Sequence, residues 1–237
     1  MKIAPLGDAA VVVTLADTVD AATVAAAQAL VDALEAKPLP GVIECVPANA
    51  SVAVYYDPVR VPGNGGPPPY ERVCQWIEDR AGAAEPGGHA AGRSLTIPVC
   101  YGGEWGPDLE AIGAAHGLSV EEVVSLHRGA EYFVSAVGFA PGFPYLGGLP
   151  ERLHTPRRKS PRTRVPAGTV AIGGRQTGIY PFETPGGWNL IGRTPWRLFD
   201  PHARPPALFQ LGDRVRFQSV TPAEFQSLQC QSPLPSE

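Results

Sequence analysis

The sequence predicts an α+β protein in which a small α+β unit precedes a larger unit rich in β-structure. Strand and helix patterns over the first 80 residues follow in the order β-α-β-β-α, which resembles a ferredoxin-like half-sandwich. Residues 82–93 are rich in Ala and Gly, as linkers are. Residues 138–201 hold 11 Gly and 10 Pro among 18 large aliphatic and aromatic residues. This mixture indicates short strands with tight turns, or long ordered loops over a barrel.

The first unit, assigned to residues 1–81, opens with a strand and a helix. AAVVVTL (9–15) is an apolar run of strand-forming residues. Asp20 stands where a helix N-cap is needed, ahead of an Ala-rich segment. The spacing of the larger side chains in that segment predicts one buried helix face. The face comprises Val24, Ala27, Leu30, Val31 and Leu34.

Two further strands and a second helix complete this unit. VIECV (42–46) and SVAVYYD (51–57) are rich in β-branched and aromatic residues, so they predict paired strands about a turn at Asn49. YERVCQWIEDR (70–80) has helical spacing of its apolar residues and predicts the second helix. The Ala- and Gly-rich linker then separates this unit from the next.

The second unit, assigned to residues 94–221, begins with alternating strands and helices. Ser119 and Glu122 have the spacing of a capping box, which marks the start of a helix. The predicted elements of this part are a strand at 94–101, helices at 107–117 and 118–129, and a strand at 131–139.

The end of the chain predicts a hairpin and a tail. The segment ALFQLGDRVRFQSV (207–220) predicts a hairpin or strand pair that turns at Gly212 and Asp213. Residues 222–237 contain three prolines and few large apolar side chains, so we expect a loose tail.

Composition argues against several classes of protein. Of the 237 residues, 44% are apolar and 18% are charged, as in globular proteins. A net charge of −4 argues against a nucleic-acid binder. No apolar run reaches the roughly 18–20 residues that a membrane span needs, and no cleavage pattern follows the apolar start, so we expect a cytoplasmic protein. Four scattered cysteines without a CxxC fit reduced thiols.

The portable motifs of catalysis are absent from the sequence. It contains no P-loop, no GxGxxG, no GxSxG and no HExxH. The five histidines lie far apart, at no metal-ligand spacing to one another or to a cysteine, so we expect no metal site. No cysteine has adjacent basic residues that would lower its pKa. An enzyme with this sequence carries a site of another kind.

Five cations lie within eight residues of the second unit. They are Arg157, Arg158, Lys159, Arg162 and Arg164. Flanking prolines exclude a regular helix. Guanidinium groups at this density favour a site for a carboxylate or a phosphate. A solvated loop, or a contact to the acidic first half of the chain, explains the same run, because residues 151–216 carry a local charge of +8 while the remainder carries −12.

Glycines and aromatic residues after the basic run are candidates for a binding site. Turns containing Gly186 and Gly187 expose backbone N–H groups that can cradle an anion, although glycines also form barrel corners. Tyr180 and Trp188 are aromatic residues with polar ends in turn contexts, which suits a pocket or an interface.

Three polar residues complete the set of candidates. Gln176 and Thr177 supply neutral polar groups beside glycines, as a small polar ligand requires. His154 precedes the basic run and has the chemistry for proton transfer, although a lone histidine is more often structural. These residue types therefore favour a small anionic ligand without identifying it.

Three consecutive motifs resemble the allophanate-hydrolase subunit 1 family, which includes KipI, the B subunit of 5-oxoprolinase and part of urea carboxylase. The motifs are GFAPGFPYLGGL, PRRKSPRTRVPAGTVAIGG and QTGIYPFETPGGWNLIGRTP. LHTPRR, around His154, looks like the 5-oxoprolinase branch in particular. LGDAAVVV near the start also resembles the family's first domain, so the resemblance covers almost the whole chain.

The resemblance implies a fold and an activity. The family's fold is an N-terminal α+β domain followed by a cyclophilin-like β-barrel domain. Its 5-oxoprolinase branch implies the B component of a complex with A and C subunits, which opens 5-oxo-L-proline to L-glutamate with hydrolysis of ATP. The implied ligand is a small carboxylate, and ATP is expected to be bound by the assembled complex. No nucleic acid, membrane or metal is implied.

The resemblance also implies site residues and alternatives. The implied catalytic residues are Arg157, Arg162 and His154, and the implied substrate-binding residues are Gln176, Thr177, Tyr180, Gly186, Gly187 and Trp188. A KipI-like inhibitor of a sensor histidine kinase is the first alternative function. A urea carboxylase or allophanate hydrolase subunit 1 is the second. The LHTPRR stretch favours the oxoprolinase over both.

Overall fold

The computed structural model describes residues 1–63, 66–82 and 92–229, which form an α+β protein as predicted. The chain divides into two compact units, Met1–Ala91 and Gly92–Glu237. Most of the predicted linker lies outside the described residues. No helix in the described part of the chain is long and apolar enough to cross a membrane.

The first unit is a four-stranded antiparallel sheet with two helices. Its elements are β1 (Lys2–Pro5), β2 (Ala10–Thr14), α1 (Ala21–Glu35), β3 (Val42–Ala48), β4 (Ser51–Tyr56) and α2 (Pro69–Ala81). The strand order in the sheet is β1-β2-β4-β3. The sequence analysis did not predict β1, which adds an edge strand beside β2. The ferredoxin-like assignment itself stays a prediction.

Local signals account for the helix and the turn of this unit. Asp20 caps α1 by accepting a hydrogen bond from the Thr23 backbone N–H at 2.8 Å. The buried face of α1 is the predicted one, and it packs against the apolar face of the sheet. Asn49 adopts φ 56° between β3 and β4, a left-handed conformation that asparagine tolerates. The predictions for α1 and for this strand pair are confirmed.

The second unit is a closed seven-stranded barrel with helices and a small extra sheet. Its strands are β5 (Ser94–Tyr101), β6 (Tyr132–Val137), β7 (Pro144–Gly147), β8 (Arg162–Val165), β9 (Thr169–Gly173), β10 (Gln176–Ile179), β11 (Thr184–Gly186), β12 (Asn189–Arg193) and β13 (Arg214–Ser219). Its helices are α3 (Leu109–His116), α4 (Val120–Gly129) and α5 (Pro222–Leu228), with a 3-10 turn at Glu151–Leu153. The barrel order is β10-β7-β6-β13-β5-β12-β9, and β8 pairs with β11 outside it.

Aliphatic side chains fill the interior of the barrel. Val99, Leu146, Ile172 and Val215 are fully buried in one cluster, together with residues of α3 and α4. Ser119 and Glu122 form the predicted capping box at the start of α4. A closed barrel is thus confirmed, whereas its cyclophilin-like character stays an implication of the family resemblance.

The predicted hairpin at residues 207–220 is wrong, because only its second half is a strand. β13 pairs in parallel with β5 and antiparallel with β6, so both of its edges are occupied by distant segments. The preceding residues turn away, since Leu208 and Phe209 are buried in the core. The Asp213 carboxylate accepts the Gln210 backbone N–H at 2.8 Å and secures this turn.

The C-terminal segment also differs from the expectation of a loose tail over 222–237. Residues Pro222–Leu228 form α5, which starts with a capping box between Thr221 and Glu224. Phe225 is buried against Cys100 and Val220, and its ring lies 5.8 Å from that of Trp105. The buried ring of Phe225 therefore packs α5 against the second unit, although the prolines of this segment had suggested a loose tail. Residues 230–237 lie outside the described part.

Candidate functional site

Segments of the second unit surround a cavity of about 260 Å³. Its walls come from the loop before β7, the segment before β8, and the loops on both sides of β11. The lining residues are Phe139, Phe143, Tyr145, Arg157, Arg158, Pro161, Tyr180, Pro185, Gly186, Gly187 and Trp188. Five of the predicted site residues are therefore neighbours here: Arg157, Tyr180, Gly186, Gly187 and Trp188.

Four aromatic rings form the apolar wall of this cavity. The ring centroid of Phe143 lies 4.9 Å from that of Tyr145, 5.2 Å from that of Tyr180 and 5.6 Å from that of Trp188. The last two pairs meet nearly edge to face, which is a favourable arrangement of ring quadrupoles. Gly173 lies directly against the Trp188 ring and has no room for a side chain. This barrel glycine therefore makes space for an aromatic wall.

Arg157 supplies an available positive charge at the cavity. Its guanidinium carbon lies 5.7 Å from the centroid of the Trp188 ring, within the range of a cation–π contact. The residue is exposed, and no ion pair to Arg157 occurs among the described residues. Its donors are thus free for an anion.

Asp108, which the sequence analysis missed, organises two of the other arginines. Its Oδ1 accepts hydrogen bonds from Arg158 Nη1 at 3.0 Å and from Arg162 Nη2 at 2.8 Å. Its Oδ2 accepts the backbone N–H of Leu190 at 2.7 Å. Asp108 stands just before α3 yet does not cap it with its side chain. Its position would ordinarily predict a helix cap, so no sequence signal indicates the ion pairs.

The basic run therefore divides into groups with different surroundings. A carboxylate from the first half of the chain, Asp108, accounts for Arg158 and Arg162. Arg164 instead forms two hydrogen bonds with the exposed carboxylate of Glu183. Nη1 of Arg162 is buried without a hydrogen-bond partner among the described residues. A buried, unpaired donor of a cation is costly, and a bound anion would satisfy it.

Tyr180 is the most deeply buried of the cavity's polar residues. Burial raises the pKa of its phenol, while a hydrogen bond from the Trp188 backbone and the charge of Arg157 oppose that rise. The phenol therefore stays protonated at neutral pH and can donate a hydrogen bond. Gly186 lies against the Tyr180 hydroxyl so closely that a Cβ there would overlap it.

Phe139 stands at the mouth of the cavity in an unusual backbone conformation. Its φ is 69°, in the left-handed region that residues with a side chain rarely adopt. The ring is 67% exposed and lies 5.6 Å from the Phe143 ring. The loop before β7 thus contributes an exposed apolar side chain to the same cavity lining as Arg157 and Arg158.

Four predicted site residues do not line this cavity: Arg162, which is paired with Asp108, and three others. His154 follows the 3-10 turn, and its Nε2 lies 3.0 Å from the carbonyl oxygen of Leu149. Gln176 donates from Nε2 to Ser135 Oγ at 3.3 Å. Thr177 is fully buried and donates its hydroxyl hydrogen to the Ala171 carbonyl at 3.0 Å. Each of them bonds to the protein's own atoms.

Thr177 belongs to a buried polar network centred on His127. His127 Nε2 lies 3.0 Å from Thr177 Oγ1, and its Nδ1 lies 2.8 Å from the Tyr101 hydroxyl. Because Thr177 gives its only hydrogen to Ala171, His127 Nε2 donates and Nδ1 accepts from Tyr101. Complete burial lowers the pKa of His127 to about 3. The imidazole is therefore neutral and braces α4 against the barrel.

The site is suited to anions rather than to metal ions. Among the described residues, no group of three His, Cys, Asp or Glu side chains could hold a metal ion. The lining contains two arginines and no carboxylate. An aromatic wall beside free guanidinium donors fits a small ligand that carries a negative charge.

Comparisons with known proteins identify relatives over most of the chain. The family described as carboxyltransferase domain, subdomain C and D, matches residues 1–209. A protein of Bacillus subtilis (strain 168), named as the B subunit of 5-oxoprolinase, is 42% identical over 227 residues, 94% of this chain and 95% of that protein. A protein of the same name from Escherichia coli O157:H7 is 49% identical over 191 residues, 81% of each.

Solved structures share the fold. The crystal structure of TTHA0988 is 37% identical with a TM-score of 0.75, over 90% of this chain and 40% of that one, so this chain spans less than half of that protein. Urea carboxylase of Kluyveromyces lactis matches 97% of this chain and 22% of its own, with a TM-score of 0.77. Its identity of 19% is a likeness of fold alone.

Proposed function

The chain belongs to the family of the carboxyltransferase domain, subdomain C and D, and on this basis we propose that it is the B subunit of an ATP-dependent 5-oxoprolinase. In this proposal it acts with the A and C subunits of the complex to open 5-oxo-L-proline to L-glutamate. It is one part of the enzyme and is not active alone. The observation that carries the proposal is the similarity, over nearly the whole chain, to proteins named as the B subunit of 5-oxoprolinase.

The chemistry of the cavity supports this substrate. 5-Oxoproline is a carboxylate on a small lactam ring. Arg157 offers an unpaired guanidinium for the carboxylate, and the rings of Phe143 and Trp188 offer an apolar wall for the lactam ring. A cavity of about 260 Å³ lies just below the roughly 300–1,000 Å³ typical of drug-sized ligands, which suits a small molecule.

Hydrogen-bond donors near the cavity suit the reaction as well. Opening a lactam develops negative charge on its carbonyl oxygen, and donors fixed in advance stabilise that charge. Nη1 of Arg162 is a buried cationic donor without a partner among the described residues. Tyr180 is a protonated phenol in the lining. We assign carboxylate binding to Arg157, charge stabilisation to Arg162, and substrate contacts to Tyr180, Gly186, Gly187 and Trp188.

The remaining predicted site residues keep a supporting role in the proposal. His154, Gln176 and Thr177 bond to Leu149, Ser135 and Ala171 and line no part of the cavity. We expect them to shape the loops and the barrel wall rather than to contact substrate. In particular, proton transfer by His154 would require a rearrangement of its hydrogen bond.

The cavity does not fit ATP. Its volume is small for a nucleoside triphosphate, and the sequence has no phosphate-binding P-loop. We therefore propose that the other components of the complex bind ATP.

A reconstitution experiment tests the proposal. This chain is expressed with its candidate A and C partners, and glutamate and ADP are followed with 5-oxoproline and ATP while one component is omitted at a time. We expect glutamate only when this chain is present. Absence of glutamate from a folded, assembled complex would contradict the proposal and favour a urea-type substrate or kinase regulation.

Arginine variants test the site within the same assay. Arg162→Ala should lower turnover by roughly 100-fold or more, as loss of a donor to developing charge does. Arg157→Ala should lower kcat/KM for 5-oxoproline, because it removes the guanidinium assigned to the carboxylate. Arg164→Ala is the matched control, because Arg164 pairs with exposed Glu183 outside the cavity. Full turnover by both test variants would contradict the assignment, and loss of assembly would identify the cluster as an interface.

A further inference from the structure

We propose that Asp108 is a positioning residue of this site, which acts by holding Arg158 and Arg162 in one fixed arrangement. The inference deepens the proposed function and rests on it for its catalytic readout. Asp108 does not line the cavity. Its contribution would therefore pass through the two arginines.

The geometry gives Asp108 a fixed position of its own. The residue is 6% exposed. Its backbone N–H donates to the Leu190 carbonyl at 2.9 Å, and its Oδ2 accepts the Leu190 N–H at 2.7 Å. Backbone and side chain are thus both bound to the same residue of β12, a barrel strand. A carboxylate held in this way can serve as a rigid anchor for mobile side chains.

The remaining oxygen connects this anchor to the arginines. Oδ1 receives both guanidinium groups, at 3.0 Å from Arg158 and 2.8 Å from Arg162. Charge-assisted bonds of this kind are short and strong, and a single acceptor fixes the two donors relative to each other. Arg158 consequently forms part of the cavity wall, and Arg162 is left with Nη1 buried and unpaired among the described residues.

The charges explain why such an anchor is needed. Arg157, Arg158 and Arg162 lie within six residues of one another and would repel. Asp108 offsets part of that repulsion, yet it leaves Arg157 without an ion pair in the described part of the chain. The cluster keeps a net positive charge for an anionic ligand while two of its members are fixed. Removing Asp108 would have two opposite effects on an anionic ligand. The added positive charge would strengthen its binding, whereas the loosened arginines would weaken it, so a loss of activity indicates that the positioning of the arginines matters more.

A purely structural role is the competing explanation, since Asp108 also ties the start of α3 to β12. Asp213 provides a matched control for that role. It is also buried, accepts the Gln210 N–H at 2.8 Å and pairs with Arg93 at 2.6 Å, but it lies outside the cavity. Asp213→Asn therefore removes a similar buried charge without touching the site.

The experiment compares Asp108→Asn with Asp213→Asn in the reconstituted complex. The asparagine oxygen can still accept the Leu190 N–H, so the anchor to β12 is preserved. We expect Asp108→Asn to lower kcat/KM for 5-oxoproline at least tenfold, and Asp213→Asn to change it less than twofold. In the Arg162→Lys background the effect of Asp108→Asn should be smaller than in the unsubstituted chain, because one of the two guanidinium groups that Asp108 holds is already changed. Equal losses in the two asparagine variants, or full additivity with Arg162→Lys, would overturn the inference.

A readout without turnover separates this inference from the proposed function. The isolated chain is treated with phenylglyoxal, and the modification rate of each arginine is measured by mass spectrometry. Asp108→Asn should speed modification of Arg158 and Arg162 at least threefold and leave Arg164 unchanged. Unchanged rates at Arg158 and Arg162 would overturn the positioning role even in an active complex. Faster rates in a chain whose complex makes no glutamate would retain that role and reject the proposed function.

Folding of the variant is controlled by a second substitution. Asp108→Glu keeps the charge but displaces the carboxylate by one methylene. If the circular dichroism spectrum shows that Asp108→Asn is unfolded, Asp108→Glu takes its place in the test. A folded Asp108→Glu variant whose kcat/KM is reduced at least threefold supports the inference. A folded variant with unchanged kcat/KM and unchanged arginine modification contradicts it.

Discussion

The guanidinium group of Arg157 lies over the ring of Trp188, with 5.7 Å between its carbon and the ring centroid. This pair connects the apolar and the charged parts of the cavity lining, since Trp188 belongs to the aromatic wall and Arg157 is one of the two lining arginines. The ring gives the exposed arginine a preferred position without using up its hydrogen-bond donors. An incoming carboxylate therefore meets a cation that is oriented yet free to bind.

Replacement of Trp188 should weaken ligand binding through Arg157. Trp188→Leu removes the aromatic face, and exposed cation–π contacts are worth about 0.5–1 kcal/mol, so KM for 5-oxoproline should rise about 2–5-fold. Trp188→Phe should have a smaller effect because a ring face remains. Steady-state kinetics of the reconstituted complex measure both. Trp105→Leu is the control, since Trp105 also packs against a ring but outside the cavity; an equal rise in its KM would refute the prediction.

Two adjacent glycines should respond differently to the same substitution. Gly186→Ala places a methyl group onto the hydroxyl of buried Tyr180, so we expect a loss of about 1–3 kcal/mol in the free energy of unfolding. At Gly187 the nearest atom to an added Cβ is Pro161 Cγ at 3.6 Å, which is an ordinary contact. Gly187→Ala should therefore change stability by less than about 0.5 kcal/mol. Urea unfolding distinguishes the two, and equal losses would be evidence against the packing at Tyr180.

Stability should fall as the pH is lowered because of His127. The unfolded chain takes up a proton near the ordinary histidine pKa of 6.5, whereas the pKa of the folded imidazole is about 3. The part of the free energy of unfolding that depends on neutral His127 is therefore fully present above pH 6.5. It is lost as the pH falls toward 3, and it amounts to a total on the order of 5 kcal/mol. Urea unfolding across this range measures the slope.

His127→Gln separates the histidine from other acid-sensitive groups. The variant should be less stable at pH 7, because its contacts to Tyr101 and Thr177 are impaired, but its stability should vary less between pH 6.5 and about 4. His116→Gln is the control, since His116 is half-buried and bonds to Thr155. An unchanged slope in His127→Gln would assign the pH dependence elsewhere.

The C-terminal helix should contribute to the stability of the second unit. Phe225→Ala removes a buried ring next to Trp105, and such substitutions cost about 3–5 kcal/mol. Gln226→Ala, on the exposed side of the same helix, should change little. Thermal unfolding measures both variants. A Phe225→Ala protein as stable as its control would mean that α5 is not anchored.

Local patterns predicted local structure well. Asp20 and the five apolar residues behind it predicted α1, and Ser119 with Glu122 predicted the start of α4. These features depend on residues within one or two helical turns, so the sequence carries their whole physical cause. The hairpin at 207–220 failed for the opposite reason. β13 found its partners in β5 and β6, more than 70 residues away, rather than in the adjacent segment.

In the candidate site, too, residue types could be predicted from the sequence, whereas their positions in the fold could not. Arg157, Tyr180, Gly186, Gly187 and Trp188 were predicted from their residue types and from the family resemblance, and all five line one cavity. Thr177 was predicted on the same grounds but faces the barrel interior, since alternate residues of a strand point to opposite sides. No local pattern indicated which side of β10 would be inside.

By itself the sequence determined the α+β class, most helix and strand positions, and the cationic and aromatic residue types from which an anion site is built. Only the tertiary structure decided which cations are available, because ion pairing depends on distances between segments far apart in the chain. Asp108 lies 50 and 54 residues from the arginines that it holds. The fold brings them together, and among the described residues it leaves Arg157 over Trp188 as a guanidinium at the cavity without an ion pair.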